Sequence, residues 1–179
     1  MVTGGDCGAC VLGGLAGLSV PGAYGIGKPN GASTFSISDM QAALMMLQDH
    51  DALDRIVDEP PTWIQHVHSG HSSFGFTALS MAPMWYEYMR LAIDAGYYGL
   101  VTISFEPFHS KEGETYFGSN HWVLIKGCRF HWVPLESGKG SRGAEEILVS
   151  CSVKGDYWMP VREFARLHGG SYLLLARPA

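Results

Sequence analysis

The sequence predicts an α+β domain, and three observations predict it. Apolar residues recur at helical spacing in the first half. Short aromatic and β-branched runs, parted by turn residues, fill the second. The change of character falls once, near residue 97, and no internal repeat or low-complexity tract interrupts either half. A chain of 179 residues fits one ordinary domain. Residues 1–97 are therefore expected to be its mainly helical lobe and 98–179 its mainly antiparallel β lobe.

The elements follow in order. Cys10 to Leu18 is an apolar run of small residues. Ser38 to Asp49 opens on a Ser/Asp capping signal and carries Met40, Ala43, Leu44 and Leu47 as a stripe for a core. Pro83 to Ala95 repeats apolar residues at helical spacing, and Gly96 is expected to end it as a C-terminal cap. Strands are expected at Tyr98–Phe105, His121–Lys126, Phe130–Leu135, Ile147–Cys151 and Tyr172–Ala176. Glu136–Glu146 reads as a polar, Gly-rich hairpin loop, and Pro160–Leu167 as a short helix before the last strand.

Composition narrows the function classes. A hydrophobic fraction of 46% with 16% charged residues belongs to a globular chain, not a disordered one. No apolar run reaches the roughly 18–20 residues of a membrane-spanning helix. Twelve Lys+Arg against 17 Asp+Glu give a net charge of −5, which argues against a nucleic-acid partner. The first residues carry no basic segment leading into an apolar stretch, so the expected setting is cytoplasmic. A phage- or toxin-associated protein would look the same. The four cysteines are Cys7, Cys10, Cys128 and Cys151. Only the first two have the close spacing of a zinc-ligand pair, so neither metal nor another cofactor is expected.

Chemistry concentrates at two places. In Gly4-Gly5-Asp6-Cys7-Gly8-Ala9-Cys10 a Gly-rich turn delivers a cysteine into an apolar helical run. A thiol at a helix N-terminus meets the positive end of the macrodipole and unpaired N–H groups, which stabilise its thiolate. The same N–H groups can hold an oxyanion during acyl transfer. Gly8 would let a substrate backbone approach. In Asn120-His121-Trp122-Val123-Leu124 a histidine opens an apolar strand. A nucleophilic cysteine needs such a base on a separate rigid element. Read one at a time, the cysteines are small buried hydrophobes and His121 a strand-end residue.

Together these motifs resemble the papain-like cysteine peptidases, most closely the bacteriocin-processing, double-glycine-leader branch. Asp6-Cys7-Gly8 resembles that branch's Asp-Cys-Gly, and His121-Trp122-Val123-Leu124 its His-aromatic-aliphatic strand. Val161-Arg162-Glu163-Phe164, followed by Gly169-Gly170-Ser171-Tyr172-Leu173-Leu174-Leu175, resembles its closing helix and strand. The resemblance implies a helical lobe bearing the nucleophile Cys7, a sheet lobe bearing the base His121, and a peptide or protein substrate. Two departures stand out. No carboxylate or amide follows His121 on the next strand, so Ser152 is the expected orienter, with Asp156 the nearest acid. No glutamine precedes Cys7, so Thr3, Gly5, Asp6, Gly8, Asn120 and Trp122 are the expected substrate and oxyanion residues. Cys10 is the alternative nucleophile, because the Cys-Gly-Ala-Cys spacing also resembles plant-type papain relatives. An inactive papain-like binding domain and a Cys-His cell-wall peptidase or amidase are the alternative functions.

Other features have blander readings. His66, His68 and His71 could bind a metal, but no neighbouring carboxylate or cysteine supports them, so a polar loop is expected. Trp85, Tyr86, Tyr88, Tyr97 and Tyr98 fit core packing, as do Met40, Met45, Met46, Met81, Met84 and Met89. The glycines of residues 137–143 lack the order and following helix of a phosphate-binding loop.

Overall fold

The computed structural model describes residues 6–27, 35–57, 78–103, 108–109, 115–116, 121–167 and 173–179. Its elements are α1 (Cys7–Ala16), α2 (Val20–Gly27), α3 (Ile37–Asp49), β1 (Leu53–Val57), α4 (Ala78–Asp94), β2 (Tyr98–Ile103), β3 (Phe108–His109), β4 (Thr115–Tyr116), β5 (His121–Pro134), β6 (Ser141–Cys151), β7 (Gly155–Pro160), α5 (Val161–Leu167) and β8 (Leu173–Pro178). The α+β expectation is met: six strands form an antiparallel sheet in the order β1-β8-β2-β5-β6-β7, and β3 pairs with β4 in a two-stranded ribbon.

Local chemistry explains most boundaries. The cap of α3 is Ser36, two residues before the expected one. The Ser36 hydroxyl accepts from the Asp39 N–H at 3.1 Å, and the Asp39 carboxylate accepts from the Ser36 N–H at 2.8 Å. That reciprocal pair satisfies two N–H groups the helix itself cannot bond. α1 stops where Gly17 turns left-handed at φ 70°, and Gly96 does the same after α4 at φ 87°. The two strands expected at 121–126 and 130–135 are one long strand. A bulge between Ile125 and Gly127 absorbs an extra residue, so pairing with β6 continues through the glycine. The expected loop 136–146 contracts to a turn closed by the Leu135 N–H donating to the Gly140 carbonyl at 3.1 Å.

Alternation along the strands divides the core into two faces. Leu100, Trp122, Leu124, Leu174 and Ala176 meet Leu12 and Leu15 of α1 and Met40 and Leu44 of α3. Val101, Ile103, Val123, Ile125, Ile147 and Val149 meet Trp85 and Met89 of α4 and Phe164 of α5. Trp85 and Phe164 pack edge to face, ring centres 4.9 Å apart. The helices of the first half are therefore shared between both faces of the sheet. β1, also in the first half, closes one edge by pairing with β8, the last strand.

Candidate active site

The site builds from the start of α1 and the adjacent ends of β5 and β6. Asp6 precedes α1, but its side chain makes no capping bond to the helix. Its carboxylate instead accepts the Tyr24 hydroxyl at 2.7 Å, which ties α2 to the turn carrying the cysteine. Burial and that carboxylate push the Tyr24 hydroxyl up to about 12, so it stays a donor. Cys7 is the first helical residue and is 8% exposed. Backbone N–H groups of Trp122, Gly8 and Cys7 itself favour its thiolate. Those donors hold the thiol down, but burial outweighs them and the Cys7 thiol lies above its ordinary value. The lowered thiol expected from the helix N-terminus is thereby corrected: desolvation by burial outweighs the backbone N–H donors. Cys10 is part-exposed and also pushed up, by burial first and then by the Asp6 carboxylate.

His121 opens β5 opposite Ile103 of β2 and is 8% exposed. Its Nε2 lies 3.2 Å from Cys151 Sγ. Burial lowers its pKa from the ordinary 6.5 to about 4, so the imidazole is neutral near neutrality. The register explains the contact. Leu124 pairs with Ser150, so His121 and Cys151 stand on one face as diagonal neighbours. Ser152 is one residue further along and belongs to the opposite face. Its hydroxyl is buried with no hydrogen-bond partner, so the contact with the imidazole expected of Ser152 is made by Cys151 instead. Asp156 is not at the imidazole either. It makes an exposed ion pair with Lys126 at 2.6 Å.

The other expected site residues divide. Gly8 is buried, and a Cβ there would lie 2.6 Å from Phe35 Cβ. Its missing side chain therefore makes room for Phe35 and not for a substrate, which corrects the expectation. Trp122 contributes through its backbone, whereas its indole Nε1 donates to the Phe35 carbonyl at 2.8 Å in the core. Phe35 also packs against Tyr24, ring centres 5.4 Å apart. Thr3, Gly5, Asn120 and the histidines at 66, 68 and 71 lie outside the described residues. Among the described residues, no group of three or more His, Cys, Asp or Glu side chains is placed to hold a metal ion. No helix among them is long and apolar enough to cross a membrane.

Sequence reasoning missed Cys151, Tyr24 and Phe35. Cys151 alone had a legible signal, as the third member of the alternating set Ile147, Val149, Cys151. The three thiols form one electrostatic neighbourhood: Cys7 and Cys10 each sense Cys151, and Cys10 senses Cys7. Comparisons with protein-family models, curated proteins and solved structures find no match for this chain.

Proposed function

We propose that the chain is a papain-like cysteine hydrolase that cleaves a peptide, isopeptide or other amide bond, with Cys7 as nucleophile and His121 as base. What supports this reading is the buried His121 imidazole, 3.2 Å from Cys151, together with the electrostatic proximity of Cys7 to Cys151 and to the Trp122 backbone. In this reading Cys7 Sγ attacks the carbonyl carbon while its proton passes to the imidazole. The N–H groups of Cys7, Gly8 and Trp122 receive the developing oxyanion. The imidazolium returns the proton to the leaving amine. Water, deprotonated by the same ring, then releases the acid and frees the thiol.

Raised thiol and lowered imidazole mean the resting pair is neutral, so the proton moves during attack and no standing ion pair precedes it. Cys151 keeps the ring in one orientation without the charge that an aspartate would supply. That same neutrality favours a second reading, in which the fold is an inactive binding domain. A peptide carrying a thiol-reactive group distinguishes them. The hydrolase reading expects an adduct at Cys7 by intact mass, absent in Cys7→Ser and slowed about 100-fold or more in His121→Ala. Labelling of Cys7 that is indifferent to His121 selects the binding domain, and labelling lost with Cys10→Ser but not Cys7→Ser overturns the assignment of the nucleophile.

A further inference from the structure

We propose that Cys7 and Cys10 form a reversible disulfide by exchange with a low-molecular-weight disulfide. The two residues stand three apart on α1, and all four cysteines are free thiols in the structure. Helix pitch and radius set their Cα atoms about 5 Å apart. A disulfide accepts Cα separations of about 4.4–6.8 Å. Their Cβ atoms, about 5–6 Å apart in a regular helix, must close to about 3.8 Å. The first turn can make that adjustment, because its N–H groups have no acceptor within the helix to lose. Cys151 also lies near, but it pairs with Gly155 of β7 and its sulfur faces His121. The movable pair is therefore the one on α1.

Exposure orders the steps. Cys10 is part-exposed and Cys7 buried, so Cys10 meets the oxidant first. The Cys10 thiolate attacks one sulfur of R–S–S–R, forming Cys10–S–S–R and releasing RS⁻, which takes up the proton Cys10 gave. The Cys7 thiolate then attacks Cys10 Sγ, closing the ring and expelling the second RS⁻ with the proton from Cys7. Both cysteines are oxidised and one external disulfide is reduced to two thiols. The bond itself stands apart from the hydrolase reading. Its consequence, that amide cleavage stops while the nucleophile is tied up, rests on that reading.

The test treats the full chain with oxidised glutathione, blocks free thiols with iodoacetamide, and maps tryptic fragments. Fragment 1–55 carries Cys7 and Cys10, whereas Cys151 lies in 143–154. The expected product is fragment 1–55 lighter by two hydrogens and unalkylated, restored by dithiothreitol and lost in Cys10→Ser. A link between 1–55 and 143–154, glutathione held on Cys7 or Cys10 without closure, or two alkylated cysteines after treatment overturns the proposal. Probe labelling of the reduced chain is scored separately. An unlabelled chain that still closes the disulfide sinks the hydrolase reading alone, and a labelled chain that never closes it sinks this one alone.

Discussion

At the residue scale, the decisive feature is that His121 and Cys7, the base and nucleophile of the proposed hydrolase, are both desolvated. For His121 the consequence for stability has a definite sign. Its folded pKa, about 4, lies below the unfolded value near 6.5, so between those pH values the unfolded chain binds more protons. Stability should therefore fall as pH drops through that window, by about 3 kcal/mol at the acid end. Urea unfolding midpoints at several pH values check this, and His121→Gln should flatten the curve. Under the proposed hydrolase reading, the same shift predicts that amide cleavage persists at mildly acidic pH and is lost only toward pH 4, as the base becomes protonated. A fall centred near 6.5 would mean that the ring is solvated in solution. Cys151→Ala should lower the rate about tenfold or more, and Cys151→Ser should largely keep it, since a hydroxyl can hold the same nitrogen. Equal rates in all three proteins would remove Cys151 from any positioning role.

At the element scale, α1 is built from small residues because it runs close to its neighbours. A Cβ at Gly13 would lie 2.6 Å from the Leu18 carbonyl, which is backbone and cannot step aside. At Gly14 the nearest atom is Leu124 Cδ2 at 3.2 Å, the end of a side chain. Gly13→Ala should thus cost about 1–3 kcal/mol, whereas Gly14→Ala should come close to neutral as helix propensity offsets the crowding. Thermal unfolding of the two variants decides it; equal losses would mean that α1 sits further from the Leu18 turn than described. The capping box of α3 is a separate determinant. Ser36→Ala should cost about 1 kcal/mol without touching the site, read as an unchanged rate of Cys7 labelling.

For the whole molecule, the sheet is the shared wall of both cores. Phe164 and Leu124 are both fully buried but belong to opposite faces. Phe164→Ala should cost about 3–5 kcal/mol and Leu124→Ala about 2–5 kcal/mol. If the sheet couples the layers into one cooperative unit, both variants shift a single transition seen equally by far-ultraviolet dichroism and tryptophan fluorescence. Two separated transitions in either variant would show that the layers melt independently. The surface ion pairs, Lys126–Asp156 and Arg177–Asp54, add little to this balance because their side chains remain substantially exposed.

What the sequence determined by itself is what local chemistry dictates. The α3 stripe, the Gly96 stop, the apolar strand opening at His121 and the helix holding Cys7 are visible in spacing and residue type. Only the tertiary structure decided what depends on pairing between distant segments. β1 looked unremarkable until β8 lay beside it, and the gap at Gly127 looked like a break until a bulge carried the strand through. The choice of Cys151 over Ser152 at the imidazole is a register effect, since one residue of slip exchanges the faces of a strand. Desolvation was equally out of reach. Helix polarity alone argues for a lowered Cys7 thiol, and the opposite result arises because packing around α1 removes more water than three N–H groups replace.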